Sequence, residues 1–98
     1  MKRYLGDRTV VGPEVTVDGH PLPDGREHEV FTKNEFEWSY EGPEPRQLAF
    51  ALLLDHLGDA GRAKALTQAF MAEIVANFGN DWELTSDDMA EIVGELET

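Results

Sequence analysis

The chain has 98 residues, 41% of them apolar, and no cysteine. That length suits one domain with a modest core, and the missing cysteine excludes a disulfide framework and any thiolate metal site. Twenty acidic residues against eight basic ones give a net charge of −12, a balance that repels nucleic-acid phosphates and anionic membranes, since both are held by cationic side chains.

Only Lys2, Lys33 and Lys64 are lysines, and no base follows Lys64, whereas Glu73, Asp81, Glu83, Asp87, Asp88, Glu91, Glu95 and Glu97 do. Adaptation to a high-salt cytoplasm, recognition of a basic partner (mimicry of DNA included) and an ordinary acidic surface each account for such a bias. The spread of acids over the whole chain favours salt adaptation. The opening Met1-Lys2-Arg3 has no apolar run behind it, unlike a signal peptide. The longest apolar stretch, Leu48 to Leu54, is far too short for a membrane span. The expectation is a cytoplasmic protein of a salt-adapted prokaryote such as a halophilic archaeon.

The first 43 residues read as strands and turns. Arg3–Leu5 and Thr9–Val11 are short β-prone pieces, with Gly6-Asp7 between them and Gly12-Pro13 as a second break. Glu14–Val17 alternates, with Val15 and Val17 on one face, and Asp18-Gly19 is a hairpin signal. His20-Pro21-Leu22-Pro23 is excluded from a central strand, because its prolines lack ladder donors. Asp24-Gly25 turns the chain again, and Arg26–Thr32 fits no period. Glu35–Tyr40 alternates cleanly, which predicts a strand with Phe36, Trp38 and Tyr40 on one face. An antiparallel sheet with one wet face accommodates these pieces.

The remainder reads as helical. Pro45 suits a first helical position, and Glu44 beside it suits the positive end of the helix dipole. From Leu48 to Leu57 the segment is apolar on most of its circumference, which predicts a central helix. Gly58 is a natural stop and Asp59 a natural cap for the next helix. Ala63, Leu66, Phe70, Ile74 and Phe78 recur at helical spacing, predicting a second helix as far as Phe78, ended by Gly79. Asn80–Leu84 reads as a loop. Thr85 and Asp88 form a shortened capping box for a third helix, with Leu84 and Met89 as a hydrophobic staple and Met89, Ile92, Val93 and Leu96 as its apolar stripe.

Little in this pattern carries chemistry. No two of His20, His28 and His56 share a helical ligand spacing, so no metal is expected. Glu35 and Glu37 on one strand face would stand about 7 Å apart, within the range of paired glycosidase acids. Without a pocket to shift their pKa they are more simply a solvated face. Ser39 has no histidine placed to activate it and no G-x-S-x-G frame, and no phosphate-binding glycine loop occurs. Phe36, Trp38 and Tyr40 have the arrangement of base-stacking aromatics, but their neighbours are Glu35, Glu37 and Glu41 rather than lysine and arginine. Packing on the Leu48 helix is the plainer reading. No catalytic residue and no cofactor is assigned.

Trp38-Ser39-Tyr40, Gly42, Pro45, Gln47-Leu48-Ala49 and Ala51-Leu52-Leu53 together resemble the signature of a family of small domains of unknown function. Its members occur in bacteria, archaea and phages, and its pattern runs approximately F-x-W-G-Y-x-G-x-G-P-x-Q-L-A-x-A-L-L. Tyr4 and Gly6, Val17-Asp18-Gly19 with Leu22, Phe70 and Trp82 extend the similarity over most of the chain. Ser39 and Glu44 stand where the pattern has glycine. The resemblance implies an α+β fold in one domain and brings no activity with it.

Within that motif, Gln47 falls in the first helical turn, where its amide is placed to bond back to the Gly42–Glu44 loop. Trp38, Tyr40 and Gln47 are the candidate binding surface. The expected fold is therefore α+β over residues 1–98, a small antiparallel sheet from residues 1–43 packed against three helices within 45–97. The expected function is that of a non-enzymatic acidic binding or accessory protein, adapted to salt, with an unidentified protein partner and neither nucleic acid nor membrane as ligand. The alternative is a small enzyme or ligand-binding domain using the Trp38/Tyr40/Gln47 joint. A pocket with convergent polar groups there favours the alternative, and a filled joint favours the first reading.

Overall fold

The fold is organised around helix α1, Pro43–Leu57, in a computed structural model that describes all residues from 1 to 98. Pro45 and every residue from Gln47 to Leu53 are buried. At 3.6 residues per turn such a run passes right round the axis, so the middle of α1 has no wet face. Gly42 precedes the helix and Pro43 takes its first position, two residues earlier than Pro45 alone suggests. Both prolines lie in the first turn, where a missing N–H leaves no intrahelical bond empty. Gly58 closes the helix with φ 67°, and its N–H donates to the Leu54 carbonyl at 2.8 Å.

A four-stranded antiparallel sheet covers this helix, with strands β1 (Arg3–Thr9), β2 (Gly12–Val17), β3 (His20–Pro21) and β4 (Trp82–Thr85) in the order β3-β2-β1-β4. The helical half adds α2 (Ala60–Glu73), a 3-10 turn at Val75–Asn77 and α3 (Ser86–Leu96). The α+β expectation holds. Tyr4, Val15 and Trp82 from the sheet, Phe70 and Met71 from α2, and Met89 and Val93 from α3 join α1 in one cluster of 18 buried residues.

Four details differ from the sequence expectation. First, β1 is unbroken through Gly6. That glycine stands opposite Trp82 in the β1–β4 ladder, and the indole covers it so closely that a Cβ would lie 2.2 Å from the ring. Gly6 is a packing site, not a breaker. Second, Gly12-Pro13 begins β2 instead of interrupting the sheet. Pro13 faces Arg8 on β1, beyond the reach of β3, which pairs only with Thr16 and Val17, so its missing donor is tolerated. Third, Trp82–Thr85 is a strand where a loop is expected, with Trp82 buried and Glu83 exposed.

Fourth, Glu35–Tyr40 forms no strand. Ser39 takes the left-handed conformation, φ 79°, which turns the chain out of any extended course. Its N–H donates to the Val75 carbonyl at 3.1 Å, so this segment is tied to the helical half and not to a neighbouring strand. The same contact bears on α2, which ends at Glu73 with the 3-10 turn behind it, short of Phe78.

Several local signals operate as the sequence indicates. Asp18 and Gly19 both have positive φ, 50° and 83°, the requirement of a type I′ hairpin turn. Asp59 caps α2, accepting from the Arg62 N–H at 3.1 Å. Thr85 Oγ1 accepts from the Asp88 N–H at 3.2 Å while the Thr85 N–H donates to Asp88 Oδ2 at 2.9 Å, a complete capping box.

The Gly6–Trp82 contact generates a prediction. Gly6→Ala should destabilise the protein by about 1–3 kcal/mol through overpacking, and by much less in a Trp82→Leu background. Urea melts of the four proteins in the cycle measure this. Equal losses in both backgrounds would show that the indole is not what excludes a side chain at position 6.

Candidate functional site

Gln47 is fully buried. Its Oε1 accepts from the Phe31 N–H at 2.7 Å and the Thr32 N–H at 3.4 Å. Its Nε2 donates to the Asp24 carbonyl at 2.9 Å and the Glu29 carbonyl at 3.1 Å. Both donors and both acceptor positions of the amide are therefore occupied. Every partner lies in the Asp24–Thr32 loop, which corrects the expected bond to Gly42–Glu44. This loop has no ladder of its own, so its inward peptide groups need a partner from elsewhere. Phe31 from the same loop packs edge-on against Phe50, with ring centres 5.8 Å apart.

Trp38 is also fully buried. Its ring meets Trp82 edge-to-face at 5.8 Å, and Trp82 stacks on Phe78 at 4.4 Å. The Arg8 guanidinium lies 4.7 Å from the centre of the Trp38 ring, a cation–π contact. Arg8 Nη2 donates to the Trp38 carbonyl at 2.8 Å and to Glu37 Oε1 at 3.1 Å, and Nη1 to Asn80 Oδ1 at 2.7 Å. Ser39 Oγ donates to the Phe78 carbonyl at 2.6 Å, which supports its strained backbone. The two indole N–H groups, of Trp38 and Trp82, are buried without an acceptor.

Tyr40 alone of the three candidates reaches the surface, with 44% of its area exposed. Its hydroxyl donates to Glu44 Oε1 at 3.2 Å. Glu44 Oε2 accepts from Thr32 Oγ1 at 2.7 Å and Asn34 Nδ2 at 3.2 Å. Those bonds, Thr32's foremost, hold the Glu44 carboxyl below the usual carboxylate value. Trp38, Tyr40 and Gln47 thus form no common surface. Trp38 and Gln47 are interior parts of a filled joint, and the main concavities of the molecule are lined by other residues.

One such concavity was not legible in the sequence. A groove of about 310 Å³ runs between β2–β3 and the Glu35–Phe36 segment. Val15, Leu22 and Phe36 supply its apolar surface and Glu14 and Glu35 stand among its lining residues. Arg26 also lines it but is committed internally, with Nε on the Thr32 carbonyl at 2.9 Å, Nη1 on Asp24 Oδ2 at 3.0 Å and Nη2 on the Asn34 carbonyl. The lining residues come from both sides of three turns, so no local period announces them.

The electrostatics are lopsided. Lys2, Arg3, Arg8, Arg26, Arg62 and Lys64 each form an ion pair with an acid of the same chain, which commits six of the eight basic residues. On the outer sheet face Asp7 stands opposite Glu14. A proton shared with the neighbouring Asp7 carboxyl, and the Asp7 charge, hold the Asp81 carboxyl above its ordinary value. Burial and the bond to Asp55 push the Tyr4 hydroxyl up, while burial and the nearby Arg62 lower His56. No group of three or more histidine and acidic side chains is arranged to hold a metal ion.

A small α+β domain with a filled joint ahead of its central helix and an anionic exterior is the class these features define. The chain belongs to DUF6166, a family of unknown function whose model matches residues 4–95. No curated protein and no solved structure shows a significant match. No helix is long and apolar enough to cross a membrane.

Gln47→Leu should cost at least about 2–3 kcal/mol, because it leaves buried N–H and C=O groups of the Asp24–Thr32 loop unpaired. Tyr40→Phe, which removes one exposed bond, should stay within about 0.5 kcal/mol. Chemical denaturation gives both values. Hydrogen exchange should also show faster exchange at the Phe31 and Thr32 amides in the Gln47 variant.

Proposed function

We propose that the chain is a small acidic binding or accessory protein without catalytic activity, adapted to high salt, whose partner is a protein. The observation that carries this reading is the commitment of six of the eight basic side chains to internal ion pairs. The cations act as cross-links between segments, and most of the twenty acids are left facing water. Such an exterior attracts a basic protein surface and repels phosphate backbones and anionic lipid. It also fits the cytoplasm of a salt-adapted prokaryote. The filled joint supports the same reading over a ligand site at Trp38, Tyr40 and Gln47, since two of those three side chains are fully buried.

The test of binding is titration with a basic protein partner probe, lysozyme or cytochrome c, against an acidic control of equal size. Association with the basic probes that weakens steadily with added KCl is expected. Equal affinity for basic and acidic probes would overturn the reading.

Salt adaptation has its own measurement. The molecule spans 39 × 27 × 23 Å. At roughly 0.01 M salt the Debye length is about 30 Å, and at roughly 1 M it is about 3 Å, so repulsion crosses the whole molecule in the first case and is screened in the second. The melting temperature should rise with KCl over that range. Asp81→Asn removes one member of the Asp7–Asp81 pair and should raise the melting temperature at low salt, with the gain closing at high salt.

The pH dependence has a definite sign. The folded state holds the Asp81 proton more tightly than the unfolded state, so that contribution is present at acid pH and is lost as pH rises through the raised value. Glu44 and Glu97, both lowered, contribute above the usual glutamate value and lose that contribution as pH falls through their folded values. Asp81→Asn should therefore gain most above the acid range. An identical salt slope in wild type and variant would reject like-charge repulsion as the cause.

A further inference from the structure

We propose that the groove between β2–β3 and the Glu35–Phe36 segment seats a stretch of the partner chain that carries basic residues around an apolar anchor. This rests on the binding reading above and names its surface and the chemistry that fits it.

The groove combines two features. Val15, Leu22 and Phe36 give it an apolar surface, and Pro13 and Pro21 add to it. Glu14 and Glu35, exposed carboxylates of the same groove, have no cation partner among the ion pairs. The one basic residue in the lining, Arg26, is neutralised by Asp24 and has its guanidinium bonded to the Thr32 and Asn34 carbonyls. The groove is thus negative, and the complementary ligand is positive. Of the other charged concavities, the one around Lys33, Asn34, Glu35, Glu37 and Glu44 has no apolar lining, and the one around Met1, Arg3, Leu5, Asp18 and Gly19 holds a single acid beside Arg3.

The surroundings extend the apolar character. Glu35 Oε2 stands 3.3 Å from where a Cβ on Gly12 would lie, so the β1–β2 hairpin tip abuts the Glu35 end of the groove. That tip presents Val10 and Val11, 106% and 83% exposed, two β-branched apolar residues held out in water. β3 covers β2 only at Thr16 and Val17, with the Leu22 N–H reaching the Val15 carbonyl at 3.0 Å. From Glu14 towards the tip, β2 has no neighbour strand on that side, and Pro13 there has no N–H to offer, so an occupant is held by side-chain contacts and not as an added strand. A cavity of about 310 Å³ is at the small end of the roughly 300–1,000 Å³ of small-molecule sites, and suits one or two side chains of a peptide. A second copy of this chain is a poor occupant, because both copies carry −12 and repel.

The probe is a fluorescein-labelled peptide alternating lysine and leucine, read by anisotropy in about 0.15 M KCl, where the Debye length is about 8 Å. Comparison peptides replace leucine with serine, or lysine with glutamate. The protein variants are Glu14→Gln/Glu35→Gln and, as a control of equal charge change, Glu91→Gln/Glu95→Gln on α3. All four positions are exposed, and thermal melts verify that the variants fold. The lysine–leucine peptide should bind most tightly. The groove variant should lose about tenfold in affinity, the loss of two exposed ion pairs within their usual range, and the α3 variant less than about twofold.

Equal losses in the two variants would overturn the groove while leaving general binding of basic partners intact. Failure of every lysine peptide to bind would overturn both the groove and the basic-partner reading. Equal binding of the serine peptide would remove the apolar anchor, and binding of the glutamate peptide would remove the basic chemistry. Self-association in sedimentation that the groove variant abolishes would give the site to a second copy instead.

Discussion

Helix α1 has no side left for water over its central turns, and that constraint shapes everything around it. A helix enclosed from Gln47 to Leu53 must be covered on all faces by a chain of only 98 residues. The sheet, α2 and α3 bring regular hydrogen-bond ladders to the task. The Asp24–Thr32 loop does not, and a peptide segment laid against an apolar helix without a ladder leaves buried N–H and C=O groups. Gln47 resolves this from within the helix, meeting four backbone groups with one amide. A buried polar side chain is tolerable when fully satisfied, and here its satisfaction is what gives the loop its course.

The scarcity of cations shapes the exterior in a related way. Each of the six paired bases joins parts of the chain that are distant in sequence or holds a loop together. Lys2, just ahead of β1, pairs with Asp55 on α1 at 3.1 Å. Lys64 links α2 to Glu29 in the loop at 3.2 Å, and Arg62 grips both carboxylate oxygens of Glu97 beyond α3. Exposed pairs of this kind contribute little energy each, so their value lies in placing segments. Once they are used in this way, few positive charges remain to offset the acids of the outer face.

Much of the architecture was readable without coordinates, because its signals are local. The type I′ turn at Asp18-Gly19, the caps at Asp59 and Thr85, and the all-round apolar character of Leu48–Leu54 depend on neighbours in the chain. What was not readable depends on partners far away. Trp82–Thr85 becomes a strand because β1 lies beside it, pairing Arg3 with Thr85, while Asn80-Asp81 before it reads as a turn. Glu35–Tyr40 has a true period of two, yet Ser39 bends the chain and no strand lies alongside. Gln47 was legible as a polar residue in an apolar motif, but its partners 15 to 23 residues away were not. Glycine at position 6 looks like a break until the indole of Trp82 is seen to occupy the space of its side chain.

The position of β1 in the sheet has a consequence for how the protein is made. β1 leaves the ribosome before the other three strands and lies between β2 and β4, yet β4 follows it by more than seventy residues. A nascent polypeptide has the β1–β2 hairpin early, with the far side of β1 unpaired until Trp82–Thr85 emerge. Open strand edges of this kind recruit other chains, and pairing over long separations is slow. Asp7 and Arg3 are charged and outward on that strand, the kind of side chain that discourages edge pairing, and docking of β4 closes the edge.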